Sequence, residues 1–279
     1  MTTKCALSDA RTLLFVPGLQ SERFGKALRS GTDAVIVDLE DSVAPDQKAA
    51  ARDAIAAAWT TLLAADVPVL VRINAAGSAH SEADLAWLSA LRPPAGVMVP
   101  KAESAAGLAA VRGHLPGVPI VPIIESAAGY VALREIAAAP GVVRLAVGHI
   151  DFMADTGIQC SVDERELAPL RFAVAMATRV QGLAPAIDGV TTALDDDVRL
   201  AADTRRAVSF GFGGKLCIHP KQVSPVLLAL TPAGDEVAWA RRVVAADLAA
   251  AGAATQVDGR MVDAPVVLQA RRILARVRS

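Results

Sequence analysis

Val118-Pro-Ile-Val-Pro-Ile-Ile-Glu-Ser126 is a short apolar run that stops at an acid. Its core, 120–124, is continuous in hydrophobicity rather than alternating, the pattern of a strand covered on both faces. Seven further runs of the same kind lie at 12–16, 34–38, 69–73, 96–99, 145–147, 186–188 and 214–217. The stretches between them have helical spacing. Ile55, Trp59 and Leu62 recur at i, i+4, i+7 after a start at Pro45 and Asp46, and Leu167, Leu170, Val174 and Ala177 repeat the pattern. Strands that are each followed by a helix describe a parallel sheet covered on its outer face, and eight repeats predict closure into a (β/α)8 TIM barrel, an α/β fold. An open doubly wound sheet is the alternative. It would carry a glycine-rich turn after the first strand, and Val16-Pro-Gly-Leu19 is not one.

The repeats are used up near residue 230, so residues 1–230 are expected to form the barrel and 231–279 a helical extension at a subunit interface. That extension reads as a helix over 234–250, a turn-rich stretch over 255–264 and a basic helix over 265–278. Hydrophobic residues make up 53% of the 279, enough to bury a large core and to exclude intrinsic disorder. A net charge of −1 without a basic block argues against nucleic acid or an anionic membrane as partner. Mean hydropathy is +0.40, but no run approaches the ~18 apolar residues a spanning helix needs. Lys4, Asp9 and Arg11 stand before a four-residue apolar run, so no secretory leader is expected. Cys5, Cys160 and Cys217 are odd in number and form no CxxC, and read as free thiols in a reducing cytoplasm.

In such a barrel the chemistry sits at the C-terminal strand ends. Strand 2 ends in Asp38-Leu-Glu40-Asp41, strand 3 in Arg72 and Asn74, and strand 4 leads to Lys101 and Glu103. Glu125 follows strand 5, Asp151 strand 6 and His219 strand 8, while Asp188 ends strand 7 and is expected to face the substrate. Glu125 and Asp151 close neighbouring strands about 4.8 Å apart, so both carboxylates can reach one ion. Two carboxylates without a nearby His or Cys suit a hard cation such as Mg2+. Alternatively, Glu125 caps the helix at Ser126 and Asp151 the turn before Ala154. Asp155 reads as a loop or cap residue. Arg72 at a buried strand end demands an acidic partner, either a substrate carboxylate or Glu40 and Asp41, and those two acids are expected to support metal-bound water. Lys101 reads as a Schiff-base amine or as an ion-pair partner of Glu40 or Glu103. His219 reads as an acid–base group or as a cap ahead of Pro220. His80 and His114 read as loop residues, and His149 as lining the site.

Several motifs carry a resemblance. Arg11-Thr-Leu-Leu-Phe-Val-Pro-Gly18, Asp38-Leu-Glu-Asp-Ser-Val-Ala-Pro45, Val71-Arg-Ile-Asn74, Val99-Pro-Lys-Ala-Glu103, Ile124-Glu-Ser126, Gly148-His-Ile-Asp-Phe152, Gly214-Lys-Leu-Cys-Ile-His-Pro220 and Gly259-Arg-Met-Val-Asp-Ala-Pro265 follow one another in order. Together they resemble the citrate lyase β-subunit-like family, CoA-ester lyases of the HpcH/HpaI aldolase/citrate lyase superfamily. The resemblance implies a trimeric or hexameric TIM barrel that uses Mg2+ to cleave or form a carbon–carbon bond in a 3-hydroxyacyl-CoA thioester, such as malyl-, citramalyl- or citryl-CoA. Its products would be an acyl-CoA and a small 2-oxo acid. It further implies Glu125 and Asp151 as metal ligands, Arg72 as the catalytic group holding substrate oxygens, and Asp263, supplied by a neighbouring copy, as general acid/base. Arg23 and Lys26 are placed after strand 1 to meet CoA phosphates. Ala128 stands where many members have Arg, and Thr156 where leucine is common, which bears on the identity of the substrate. A metal-dependent aldolase acting on free 2-oxo acids shares the same metal pair, and a catalytically silent CoA-binding subunit is the reading from another class.

Overall fold

The computed structural model describes residues 6–277, which leaves Cys5 and Arg278 outside the described residues. Eight parallel strands close in sequence order: β1 (Thr12–Pro17), β2 (Ala34–Asp38), β3 (Val69–Arg72), β4 (Gly96–Val99), β5 (Ile120–Ile124), β6 (Ala146–Val147), β7 (Ile187–Asp188) and β8 (Gly214–Cys217). The expected (β/α)8 barrel is what forms. β8 returns to β1 through Leu13 opposite Leu216, so no sheet edge is left open. Alternate strand residues point to opposite faces. One set, including Leu13, Ile36, Leu70, Met98, Val121, Ile123, Ile187 and Leu216, fills the barrel interior. The other set, such as Leu14, Val35, Val37, Val71 and Val97, is equally buried and turns toward the helical layer. Burial on both faces is why these segments lack polar alternation. Beneath the interior, the Arg144 guanidinium donates to the carbonyls of Leu7, Ala10 and Pro185 and ties the lower rim together.

The helices are α1 (Phe24–Leu28), α2 (Lys48–Ala64), α3 (Ser81–Ser89), α4 (Ala105–His114), α5 (Ala127–Val131), α6 (Leu133–Ala138), α7 (His149–Thr156), α8 (Ala168–Val180), α9 (Asp197–Ser209) and α10 (Val223–Leu230). In α2, Ile55, Trp59 and Leu62 form the buried stripe that their spacing predicts, entered through a 3-10 turn at Pro45–Gln47. In α8 the stripe is Leu170, Val174 and Ala177, preceded by buried Leu167. Serines start α4 and α5: the Ser104 and Ser126 hydroxyls accept the N–H of Gly107 and Gly129, satisfying donors that the first turn leaves free.

Described residues up to Val226 form one compact unit and those from Leu227 a second. The second contains α11 (Gly234–Ala249), β9 (Thr255–Val257), β10 (Arg260–Val262) and α12 (Ala264–Ala275), with Ala240, Val243, Val262, Val267, Ala270 and Ile273 as its core. Residues 255–264, expected as turns, include a β-hairpin. Asp258 and Gly259 both take positive φ, +51° and +76°, which is what a two-residue hairpin loop matching the strand twist requires. Of the cysteines, Cys160 is half-buried and free, and Cys217 is buried and free. Among the described residues no helix is long and apolar enough to cross a membrane.

Leu70 sits in the barrel interior without solvent contact. Leu70→Ala is expected to cost about 2–5 kcal/mol of stability, read as a lower denaturation midpoint at unchanged m-value.

Candidate active site

A cleft of about 420 Å3 opens at the C-terminal ends of the strands. Asp38, Asp41, Arg72, Glu125, Gly148, His149 and Asp151 all line it.

The register of β2 with β3 sets Asp38 beside Arg72. Their side chains form a two-pronged pair, Nε to Oδ1 at 2.6 Å and Nη2 to Oδ2 at 2.7 Å. The guanidinium lies 4.7 Å from the centre of the Phe15 ring. Nη1 donates to Asp41 at 3.2 Å and stands 3.0 Å from Glu40 Oε2. Burial works against the charge on Asp38, but the Arg72 fork outweighs it and holds the carboxyl below its ordinary range. Arg72 therefore has the acidic partners that its place on an apolar strand demands, with Asp38 foremost. A guanidinium has five N–H donors. Asp41 and Glu40 both face Nη1, so the N–H left without a carboxylate is the second one on Nη2.

Glu40 reaches the other way, accepting Lys101 Nζ at 2.7 Å through Oε1. Burial alone would lower the Lys101 ammonium, yet the Glu40 hydrogen bond and charge raise it above its ordinary value. A Schiff-base amine must be free of its proton, so Lys101 fits the ion-pair reading and not the nucleophilic one. Its backbone takes the left-handed φ of +45°, and its N–H donates to Glu125 Oε1 at 2.6 Å. Glu125 is only 4% exposed. Pairing of Ile124 with Val147 puts Glu125 next to Gly148, where a Cβ would collide with its carboxylate. Asp151, the third residue of α7, presents a carboxylate to the same cleft, 3.7 Å from Lys101 Nζ.

The capping alternatives resolve against both acids. Ser126 is the N-cap of α5, and Asp155, inside α7, adds a second acceptor by taking the Ala127 N–H at 2.7 Å, while α7 starts at Gly148 with no side-chain cap from Asp151. His219 caps a short 3-10 turn through Nδ1 and Lys221 N–H. His80 precedes α3 and His114 ends α4. Arg23 and Lys26 are exposed after β1. Asp263 is the N-cap of α12, its Oδ1 accepting Val266 N–H at 3.4 Å.

Asp188 differs from expectation. It is fully buried and does not line the cleft; Arg171 Nε donates to it at 3.0 Å and Lys215 Nζ lies 3.7 Å away. The position past a strand had suggested substrate contact, but two cations from α8 and β8 claim this carboxylate.

Three contributors escaped the sequence reading. Asp38 was visible as a strand-end acid, but only register reveals its partner. Lys48, buried in α2, donates to the carbonyls of Leu39 and Glu40 at 2.7 Å each and fixes the loop that carries Glu40. Glu164, left-handed at φ +47°, gathers Arg171, Arg199 and Arg206 and lies 3.9 Å from His149 Nε2. No local motif marks a hub whose partners come from α7, α8 and α9.

Burial, with repulsion from Glu40 and Asp151, pushes the Glu125 carboxyl up to about 8 from an ordinary value near 4.5. An oxygen pair made of one buried and one part-exposed carboxylate fits Mg2+, which takes one or two protein carboxylates and fills its other positions with water and substrate oxygens. Because Glu125 binds its proton more tightly folded than unfolded, its ionisation withdraws stability as pH rises from about 4.5 to about 8. Glu125→Gln should remove that slope. In melts of the metal-free protein the variant should hold its Tm near pH 8 where the parent falls, and Mg2+ should raise the parent's Tm there and not the variant's.

The HpcH/HpaI aldolase/citrate lyase family matches residues 11–220. A citrate lyase subunit beta-like protein of Deinococcus radiodurans is 38% identical, over 95% of this chain and 96% of its own. A (3S)-malyl-CoA thioesterase of Cereibacter sphaeroides is 32% identical, over 95% of this chain and 94% of its own. The crystal structure of CitE from Mycobacterium tuberculosis in complex with magnesium, acetoacetate and coenzyme A superimposes with a TM-score of 0.84 at 36% identity, covering 97% of this chain and 99% of that one. A match over most of the barrel, together with relatives of this identity along nearly the whole length, establishes that the chain belongs to the HpcH/HpaI aldolase/citrate lyase family.

Proposed function

We propose that the protein is a Mg2+-dependent CoA-ester lyase that cleaves or forms the carbon–carbon bond of a 3-hydroxyacyl-CoA thioester. The observation that carries this reading is the convergence of Glu125, at the end of β5, and Asp151, in the helix after neighbouring β6, on a cleft that also holds Arg72. The magnesium and coenzyme A of the CitE complex, and the thioester named for the Cereibacter relative, support it.

In the cleavage direction the hydroxyl proton passes to water in the cleft, the oxygen becomes a carbonyl, and the bond to the acyl α-carbon breaks with its electrons passing to the thioester as an enolate, which takes up a proton at that carbon. When bound, Mg2+ supplies a Lewis acid that polarises the substrate oxygen. Glu125 and Asp151 would hold it. Arg72, fixed by Asp38, keeps an N–H on Nη2 that can meet developing negative charge without reorganising, and a preorganised donor of this kind is worth about 3–4 kcal/mol. Glu40 and Lys101 keep the first carboxylate in place. Lys101 does so through its main-chain N–H, and Glu40 by pinning the Lys101 side chain. The resemblance gives the proton at the acyl α-carbon to Asp263 of a neighbouring copy in a trimer or hexamer, and CoA phosphates to Arg23 and Lys26. The free thiols of Cys160 and Cys217 support a reducing cytoplasm as its compartment.

The test offers malyl-, citramalyl- and citryl-CoA with Mg2+ and identifies products by mass. Glu125→Ala and Asp151→Ala should each lose at least about 100-fold in kcat/KM, more than typical changes in the shell behind a metal ligand, with no rescue by excess Mg2+. Calorimetric Mg2+ binding should vanish in both. Full activity in either variant would sink the metal assignment.

A further inference from the structure

The cleft is charged along one arc of the barrel only, and we propose that the opposite arc selects the acid fragment of the substrate: a 2-oxo monocarboxylate bearing a small alkyl group, in preference to one with a second carboxylate. The inference rests on the lyase reading for the existence of that fragment, and it adds which chemistry the fragment has and which side chains choose it.

The closed strand order maps the two arcs. Asp38 and Asp41 come from the end of β2, Arg72 from β3, Glu125 from β5 and Asp151 from the helix after β6. Past Asp151 the wall becomes aliphatic: Ile150 beside it, Val190 after β7, then Leu216 and Ile218 at β8. Ile150 and Ile218 line the cleft and are 42% and 40% exposed, so neither is packed into the core. Polar lining on this arc is limited to Thr192, which is uncharged, and His149. The imidazole is buried, its Nε2 directed to Glu164 and its Nδ1 set against Gly189, so it does not offer a cation to the wall.

Two cations stand at the cleft among the described residues, both on the charged arc: Arg72, whose fork Asp38 and Asp41 partly hold, and Lys101, bonded to Glu40 and 3.7 Å from Asp151. A first carboxylate has its partners on the charged arc. A second that meets the arc of Ile150 and Ile218 would give up water without gaining a donor, the costly case for a charged group. An alkyl substituent placed there instead covers apolar surface that is otherwise wet. Discrimination by one methylene in an apolar pocket runs about 10–200-fold, and an unpaired charge adds to it.

Calorimetry on the full chain saturated with Mg2+ compares pyruvate with oxaloacetate, and steady-state assays compare thioesters carrying methyl or carboxymethyl at the carbinol carbon. Pyruvate should bind at least about tenfold tighter, with kcat/KM following the same order. Ile150→Arg and Ile218→Arg, both at exposed positions and checked for folding by melting, should each narrow the pyruvate-to-oxaloacetate ratio at least about fivefold by supplying the missing cation. Oxaloacetate binding as tightly as pyruvate in the parent would overturn the proposal. So would an unchanged ratio in both folded arginine variants; should neither fold, the parent's ratio decides. Turnover of no thioester, alongside a retained preference for pyruvate in binding, would remove the lyase reading while leaving the selective wall in place.

Discussion

A carboxylate kept nearly out of water at the mouth of a barrel must be given partners or lose its charge, and Glu125 is that carboxylate. Its surroundings are arranged around this demand. One oxygen takes a main-chain N–H, and that N–H points the right way because Lys101 adopts a left-handed backbone, a conformation costing on the order of 1 kcal/mol for a side chain with a Cβ. The other oxygen occupies space that only the missing Cβ of Gly148 leaves open. Two unusual backbone positions, on β-strand ends either side of β5, thus serve one group. Since neither neutralises it, the site favours a cation brought from outside.

The charges around Glu125 are sorted into pairs that leave little slack. Asp38 and Arg72 lock each other through two hydrogen bonds, while Glu40 and Lys101 lock each other through one. Lys48 anchors the loop between those pairs from below by its two carbonyl contacts. Breaking a buried pair on one side strands the other charge, so these residues act as a unit rather than as separate contributions. Rigidity of this kind is what holds donors ready for charge that develops during reaction.

The barrel was legible because its strands are buried on both faces, and unbroken apolar runs such as 34–37 and 120–124, each followed by a helix, are the mark of strands covered on both sides. Strand ends were legible for the same reason: an acid following such a run must have a purpose. What that purpose is depends on neighbours that the run does not name. Glu125 and Asp188 look alike in sequence, yet Asp188 meets Arg171 from α8 and becomes part of the core, whereas Glu125 meets a backbone amide and stays available. The Glu164 hub is harder still, since its three arginines are scattered over α8 and α9 and its own backbone conformation is unusual for Glu. Asp258-Gly259 was legible in principle. The dipeptide is a hairpin signal, but its flanking strands are three residues each and carry no clear alternation to accompany it.

Charge bookkeeping around the cleft connects the metal to the acid it would receive. With Asp38 and Asp41 set against Arg72 and Glu40 against Lys101, the carboxyl groups facing the opening without a cation of their own are Glu125 and Asp151. An anionic 2-oxo acid approaching that set alone meets repulsion, in a concave site whose low-dielectric walls strengthen the field. A dication held by Glu125 and Asp151 would offset their charge and turn the local field from repelling a carboxylate to accepting one. It does so on one arc only, because the aliphatic arc from Ile150 to Ile218 has nothing to neutralise and nothing to donate. The same arrangement that admits a first carboxylate therefore leaves a second without a partner, so ion binding and substrate choice arise from one uneven distribution of charge around a closed ring of strands.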